Sequence, residues 1–239
     1  MKKTIMASMV TIVALGLTSC GGSSSNNDSY SANNFIEIEN LENNVTTIGE
    51  NDNNVATPIV IEEKTRIPFP DDKIKEINAS RVEYILSLVN KLRAESQDCG
   101  EYGIMEATTP LEWSDDLYHS AYEHSYDMAN ANHYSHDGSG TEFDWTAMNY
   151  DVENGYSLFS ERIENNNIGE IKFMIRGENI APRDSIEIAM NDWMLSDGHC
   201  KNIMDSRFKY IGLGQVEAIS PLVDGYKFEK YYFTQNFGG

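Results

Sequence analysis

The sequence predicts an α+β domain, in which helices come first and antiparallel strands come last. Apolar residues recur at helical spacing over about 80–96 and again over 117–128. The stretch 226–237 instead alternates in period two and is rich in aromatic residues, which is typical of a strand packed on both faces. We therefore expect helices that cover a sheet formed mainly by the end of the chain.

Both long helices carry start signals. Ser80-x-x-Glu83 matches a capping box, so the first helix is predicted over about 80–96. The second is predicted to begin after Ser114, with Asp115 and Asp116 in its first turn, where carboxylates meet the positive end of the helix dipole.

Two histidines fall on different faces of the second helix. His124 shares a face with Leu117 and Ala121, which favours a hydrogen-bonded core histidine over a metal ligand. His119 falls on the polar side and is predicted to be solvated.

Shorter elements are predicted in the middle of the chain. Residues 158–163 predict a short helix, and Gly177-Glu178-Asn179 is expected to form a turn. Asp184-x-x-Glu187 is the predicted cap of a further helix. Its inner face is predicted to consist of four residues: Ile186, Ala189, Met190 and Trp193.

Three β-rich segments are expected to supply strands. They are 171–175, 208–216 and 226–237, and a hairpin turn is predicted over 221–225.

The first twenty residues are predicted to be a leader, a targeting segment for export, which is cleaved from the mature protein before Cys20. Lys2 and Lys3 form a basic start, and residues 5–17 give an apolar run too short to span a membrane. The leader ends Leu17-Thr18-Ser19-Cys20, which resembles the lipobox of bacterial lipoproteins, in which the cysteine carries the lipid. The alternative is an ordinary secretory signal with an incidental cysteine. Both interpretations place the mature protein outside the cytoplasm.

Residues 21–75 are predicted to be an acidic, Asn-rich tether, and the domain is expected over 76–239. The net charge of the chain is −20, and it becomes −22 once the two lysines of the leader are removed. Because such a surface repels polyanions, we expect no nucleic-acid partner. The membrane is an expected partner through the lipid on Cys20, and Gly21 favours the outer membrane.

Cys99 and Cys200 remain once Cys20 carries the lipid. Outside the cytoplasm an even pair favours a disulfide. A bridge that closes a loop of about a hundred residues contributes about 4–5 kcal/mol in the chain-entropy model, and usually less in practice. The alternatives are two buried thiols, or Cys200 as a nucleophile beside His199.

Three residues are candidates for chemistry: His136, Glu178 and His199. Each is expected in a loop at the edge of a regular element, flanked by glycine or small polar residues. Two imidazoles and a carboxylate form many open divalent-metal sites, and the same trio can hold a water between a base and an acid. Because 42 and 21 residues separate them, independent loop residues that bond to their own turns are an equal alternative.

Four ordered motifs in the chain carry a family resemblance: HSYDMANANHYSH, GENIA, NDWMLSDGHCKNIM and FKYIGLG. With Asn90-x-x-Arg93-Ala94 and Leu111-x-Trp113 before them, they resemble the bacterial branch of the CAP superfamily. That superfamily also contains the cysteine-rich secretory, antigen 5 and pathogenesis-related proteins. The resemblance covers about 80–239 and implies a three-layer α-β-α sandwich with a central antiparallel sheet and an open cleft.

The resemblance also implies a ligand set for that cleft. In the family, two histidines and two acidic residues line it, and the histidines can hold a divalent cation such as Zn²⁺. The histidines fall on His136 and His199, and the first acid falls on Glu178. The position of the second acid is Ser196, so no complete acid–base set is expected. Possible substitutes for this acid are Asp197 and Asp137.

These expectations give one hypothesis and two alternatives. We expect an exported CAP-domain lipoprotein whose cleft binds a divalent cation, or a small-molecule, lipid or protein ligand, through His136 and His199. Glu178 would polarise water or position the ligand. One alternative is a metal-dependent hydrolase of the cell envelope, with Glu178 as the candidate catalytic residue. The other is a structural or adhesive module with a vestigial cleft.

In the family, the positions of Cys99 and Cys200 look paired in some bacterial members.

Overall fold

The structure, a computed structural model, describes residues 65–219, 222–223, 226–227 and 230–239. All of these residues belong to one compact unit, 34–239. The predicted leader, Cys20 and the predicted tether up to residue 64 lie outside the described residues. The same is true of positions 221, 224 and 225 of the predicted hairpin turn.

The described residues form six α-helices and eight strands. The helices are α1 (Ala79–Arg93), α2 (Asp115–Ala131), α3 (Trp145–Asn149), α4 (Phe159–Asn166), α5 (Ile186–Met194) and α6 (Asp197–Met204). The strands are β1 (Gln97–Asp98), β2 (Ile104–Met105), β3 (Glu112–Trp113), β4 (Arg176–Arg183), β5 (Tyr210–Glu217), β6 (Leu222–Val223), β7 (Tyr226–Lys227) and β8 (Tyr231–Gly238).

Four strands form the central sheet in the order β3-β5-β8-β4. β5 and β8 pair antiparallel along their full length, and β4 pairs antiparallel with the other side of β8. The short β3 pairs in parallel with the start of β5. The predicted antiparallel sheet is confirmed, with one short parallel strand added at its edge.

Helices cover both faces of this sheet, which confirms the α-β-α sandwich. Alternate residues of a strand point to opposite faces. Leu213 and Phe233 pack with Trp193 of α5 in the main hydrophobic core. Thr234 of the same strand as Phe233 bonds instead to Ser125 of α2, at 2.9 Å. The layer of α2 and α4 therefore lies on one face, and the layer of α1, α5 and α6 lies on the other.

Two glycines of β5 set the distance between α2 and the sheet. A Cβ atom on Gly212 would lie 2.1 Å from the amide nitrogen of Tyr118, and one on Gly214 would lie 2.4 Å from the carbonyl oxygen of Ala121. Because these neighbours are helix backbone, only glycine permits the approach.

Two of the predicted helix caps are wrong by a short distance. The first helix is capped by Asn78 rather than Ser80, and it ends at Arg93 rather than at 96. α5 is capped by Ser185 rather than Asp184. In each case the side-chain oxygen of a residue with extended backbone accepts from the amide three residues on, at 2.9 and 3.4 Å. The predicted Ser114 cap of α2 is confirmed.

Two candidate residues that were expected in loops belong to regular elements. Glu178, with the predicted Gly-Glu-Asn turn, lies within β4, and His199 lies in the first turn of α6. Gly177 permits close packing and does not form a turn. A Cβ atom at this position would lie 2.8 Å from Cζ of Phe208. The predicted strand at 171–175 is wrong, since these residues precede β4 and join no described strand.

Residues 66–75, which the composition assigns to the tether, pack on the domain. Phe69 is 1 % exposed and its ring meets the edge of Trp145. The amides of Ile67 and Phe69 donate to the side chains of Asn165 and Asn166 in α4, at 2.8 and 2.9 Å. We call residues 66–70 the strap.

Candidate functional site

The three candidate residues come from three different elements and meet at one place. His136 lies in the loop after α2, Glu178 lies in β4 and His199 lies in the first turn of α6. Nδ1 of His136 is 2.9 Å from Oε1 of Glu178, and the ring centres of His136 and His199 are 6.2 Å apart. The fold therefore brings together residues that are 42 and 21 positions apart in the sequence.

The carboxylate of Glu178 is buried among hydrogen-bond donors. Its side chain is 1 % exposed. Arg162 donates to its two oxygens at 3.3 and 3.0 Å, and the amide of Asn236, oriented to suit its neighbours, donates to Oε2 at 3.2 Å. Burial alone would raise the pKa of Glu178, but the Arg162 guanidinium and the hydrogen bond from His136 hold it at about 2. Glu178 is therefore ionised at neutral pH.

Arg162 of α4 joins the loop of His136 to β4. Its guanidinium is buried and donates to the carbonyl oxygen of His136 at 2.7 Å, in addition to Glu178. It also donates to the carbonyl oxygen and the hydroxyl of Ser157, at 2.9 and 3.0 Å. Sequence reasoning missed Arg162. The only signal was its place beside Ile163, three residues after Phe159, on the inner face of the predicted short helix.

His124 is a core histidine, as predicted, and it lies next to the site. Its Nε2 is 2.9 Å from the carbonyl oxygen of Ser135 and 3.9 Å from Oε1 of Glu178. Burial and the nearby Arg162 lower the pKa of His124 to about 3, so the ring is neutral at pH 7. Because the Ser135 carbonyl accepts, the proton lies on Nε2, and Nδ1 faces no donor among the described residues.

His119 is half-buried, so the prediction of a solvated ring is only partly correct. Its ring lies against Tyr118, and Nδ1 is 3.9 Å from a carboxylate oxygen of Asp71 in the segment that packs on the domain.

Glu178 decides which nitrogen of His136 faces solvent. An ionised carboxylate accepts from Nδ1–H, which leaves the lone pair on Nε2. The side chain of His136 is 50 % exposed, so this nitrogen is accessible. Metal-ligating histidines usually donate their other ring N–H to a carboxylate, a backbone carbonyl or a water molecule, and the bond to Glu178 is of the first kind.

His199 provides the second imidazole, and its ring is neutral at pH 7. Burial and the neighbouring His136 lower the pKa of His199 to about 4. α6 is fixed on β4 by Asn202, which donates to the carbonyl oxygen of Glu178 at 3.1 Å and to the side chain of Asn179 at 2.9 Å. The side chain of Asn179 in turn donates to the carbonyl oxygen of His199 at 3.3 Å.

The predicted disulfide between Cys99 and Cys200 is confirmed, with the Cα atoms 5.4 Å apart. Cys200 is therefore not a free nucleophile. Asp197, a candidate for the missing acid, accepts from the amide of Glu101 at 2.9 Å and so faces the loop of Cys99. Asp137, the other candidate, has an exposed side chain.

The separation of the two rings, 6.2 Å between their centres, is compatible with one divalent cation between them. With zinc–nitrogen bonds of about 2.0–2.1 Å, two imidazoles on one ion hold their ring centres roughly 5–6 Å apart, close to the separation found. The oxygens of Glu178 are occupied by donors. Within the described part of the chain, no three His, Cys, Asp or Glu residues are grouped so as to hold a metal. Water would have to complete the coordination shell.

A cavity of about 580 Å³ lies elsewhere in the described structure. It lies beside β5 and is lined by Tyr118, Tyr122 and Gln215 among others, and it includes none of the three candidate residues. The histidine pair therefore lies outside this cavity.

Comparisons with known proteins agree with the sequence resemblance. A family model described as the cysteine-rich secretory protein family, CAP, matches residues 86–237. The uncharacterized membrane protein YlbC of Bacillus subtilis (strain 168) is 27 % identical over 169 residues, which are 70 % of this chain and 37 % of that protein. The chain thus spans little more than a third of the length of this curated relative.

None of the helices in the described ranges has both the length and the apolar character needed to cross a membrane.

Solved structures give similar matches. An extracellular protein containing an SCP domain from Bacillus anthracis str. Ames is 27 % identical with a TM-score of 0.45, and the match covers 72 % of this chain and 44 % of that one. An outer surface protein from Borrelia burgdorferi is 16 % identical with a TM-score of 0.46, and the match covers 69 % of this chain and 96 % of that one.

Proposed function

Because the chain belongs to the cysteine-rich secretory protein (CAP) family, we propose that it is an exported protein whose cleft binds a divalent cation through His136 and His199. The observation that carries this proposal is the hydrogen bond of 2.9 Å between Nδ1 of His136 and Glu178, with the ring of His199 beside it. Zn²⁺ is the first ion to test, because neutral imidazole suits it.

Each residue has a separate role in this proposal. His136 and His199 provide one nitrogen ligand each. Glu178 orients the ring of His136 and raises its basicity without touching the ion. Arg162 keeps Glu178 ionised and holds the loop of His136 by its carbonyl oxygen. A bound cation would supply Lewis acidity to a water or a ligand group in the cleft.

Binding has more support than hydrolysis. A hydrolase needs a base with a lone pair available to a water molecule. Both oxygens of Glu178 already accept hydrogen bonds, and Ser196 stands where the family resemblance places a second acid. We therefore propose a binding protein rather than an enzyme.

We also propose that the mature protein is anchored by a lipid on Cys20 after cleavage before this cysteine. The basic start, the short apolar run and the Leu-Thr-Ser-Cys end of this segment support the proposal. Phase partition in detergent tests it. The Cys20→Ala variant should move to the aqueous phase, and a variant that stays in the detergent phase would contradict the anchor.

Zinc titration of residues 21–239, the chain without the leader and the lipid-bearing cysteine, tests the cation site. We expect one ion per chain, no stoichiometric binding by His136→Ala or His199→Ala, and weaker binding as the pH falls and protons compete for the imidazoles. His119→Ala is the matched control, because it removes a histidine on the outer side of α2 and should leave binding unchanged.

Two outcomes would contradict the proposal. One is a mature protein that binds no divalent cation, and the other is a stoichiometric site that survives both histidine substitutions. Turnover of ester, peptide or peptidoglycan substrates that is lost in Glu178→Gln would favour the hydrolase instead.

A further inference from the structure

We propose that the Cys99–Cys200 disulfide, with the loop that it holds, positions His199 for cation binding; this inference rests on the proposed cation site. Cys200 directly follows His199 in the first turn of α6, and Cys99 lies in the loop after β1. The disulfide therefore constrains the same helical turn that carries His199, the proposed metal ligand.

The first turn of α6 has little support of its own. α6 is eight residues long, and the side chain of its N-cap residue, Ser196, makes no capping hydrogen bond. The amides of a first turn have no partner within the helix, so an uncapped start opens readily. His199 is the third residue of this turn, and its ring direction depends on whether the turn stays closed.

Residues of the 3₁₀ turn Gly100–Tyr102 supply the support that the cap lacks. The carboxylate of Asp197 accepts from the amide of Glu101 at 2.9 Å. Gly100, with φ of +60°, lies so close that a Cβ atom there would be 2.2 Å from Oδ1 of Asp197. The ammonium group of Lys201 lies 4.4 Å from the ring centre of Tyr102. Together with the buried disulfide, these contacts hold the start of α6 against the loop of residues 99–102.

The other contacts of α6 hold its backbone on β4 but do not cap its first turn. Asn179 donates to the carbonyl oxygen of His199 at 3.3 Å. Asn202 holds the second turn against β4 through the carbonyl oxygen of Glu178, at 3.1 Å. That contact fixes where the helix lies, but it begins three residues after His199. Without the disulfide, the turn before Asn202 becomes a helix end that is free to open locally. The imidazole of His199 would then no longer face His136.

Zinc titration of the Cys99→Ala/Cys200→Ala variant tests the proposal. Alanine is used because free thiols bind zinc themselves. Loss of the residues that orient a metal ligand typically lowers affinity 10–100-fold, so we expect a loss of at least about tenfold. The control is Leu117→Ala, which creates a cavity in the α2 layer, on the opposite face of the sheet, and is also expected to destabilise the protein.

The two variants separate positioning from general stability. If the disulfide positions His199, Leu117→Ala should keep its zinc affinity within about twofold while the cysteine variant loses it. Equal losses in the two folded variants, or no loss in the cysteine variant, would overturn the proposal.

A second measurement does not need zinc. Diethylpyrocarbonate modifies neutral imidazoles, and mass spectrometry reports the rate at His199 with His136 as an internal reference. We expect the rate at His199 to rise severalfold in the cysteine variant and the rate at His136 to stay constant. If that variant does not fold, Asp197→Ala replaces it, since it leaves the disulfide intact and removes the bond to Glu101.

The outcomes at His199 are distinguishable from those of the cation site. An unchanged rate at His199 in the folded variant would overturn the positioning role. An increased rate in a protein whose wild type binds no cation would support the positioning role and refute the proposed function.

Discussion

Removing Arg162 tests the electrostatics of the candidate site. In Arg162→Met, a side chain of similar length fills the space, but Glu178 loses the cation that donates to both of its oxygens. The folded state must then keep an uncompensated buried charge or take up a proton. We expect a loss of about 3–5 kcal/mol at pH 7, the usual cost of removing one partner from a buried ion pair.

The pKa of Glu178 gives a similar magnitude. Its value of about 2 in the folded protein, against an ordinary 4.5, corresponds to about 3 kcal/mol of stability. Because the folded pKa is lowered, this contribution is complete above pH 4.5 and is lost as the pH falls from about 4.5 to 2. In Arg162→Met, burial without the guanidinium should raise the pKa above its ordinary value. Lowering the pH from 7 towards 4.5 should then restore part of the stability that the variant loses.

Urea unfolding between pH 4.5 and 7 measures both effects, and Glu178→Gln supplies the matched control. The double variant Arg162→Met/Glu178→Gln removes both charges of this buried pair, so it should be more stable than Arg162→Met alone. The recovery should be partial, because the carbonyl oxygens of Ser157 and His136 lose a donor in both variants. A loss below about 1 kcal/mol for Arg162→Met, or a double variant that recovers nothing, would refute the reasoning.

Three further predictions concern stability. Gly212→Ala should lower the melting temperature strongly, because its Cβ atom would meet backbone of α2 at 2.1 Å, whereas Gly198→Ala, with no neighbour within 4 Å, should change it little; equal shifts would contradict the close helix–sheet contact. Phe69→Ala should lower the free energy of unfolding, measured in urea, by about 3–5 kcal/mol, because the ring is buried. An unchanged stability would contradict the packing of the strap on the domain. Burial raises the pKa of Glu123 to about 7, so its stabilising contribution is complete below pH 4.5 and is lost as the pH rises through 7. Between pH 5 and 8, Glu123→Gln should therefore gain about 2 kcal/mol relative to the wild type, and parallel pH profiles would contradict the raised pKa.

The sequence predicted the elements whose apolar spacing is regular. The Ser114 start of α2 and the inner face of α5 follow from local patterns, and the structure confirms them. The expected Gly-Glu-Asn turn failed for a physical reason. Glycine signals a turn only when no partner strand is present, and here β4 pairs with β8 along eight residues. Gly177 serves the packing of Phe208 instead, which no local pattern reveals.

The candidate site was predictable only in part. The family resemblance, rather than spacing, indicated that His136, Glu178 and His199 belong together. Arg162 was missed because its role depends on a contact between α4 and β4, at a sequence separation of 16. A buried arginine in a short helix looks the same in a sequence as an exposed one. The number of donors on Glu178, which turns a candidate base into an orienting group, is visible only in three dimensions.

The position of the site follows from the period of a β-strand. β4 is the edge strand of the described sheet, and its residues alternate between the two helical layers. Glu178 faces the layer of α2 and α4, where it holds His136. Asn179, the next residue, faces the opposite layer, where its amide donates to the carbonyl oxygen of His199 and to Gln235. Two adjacent residues of one edge strand thus hold one histidine from each layer, His136 by its ring and His199 by its carbonyl oxygen. This explains why the two histidines, which belong to opposite layers, meet beside an edge strand of the sheet.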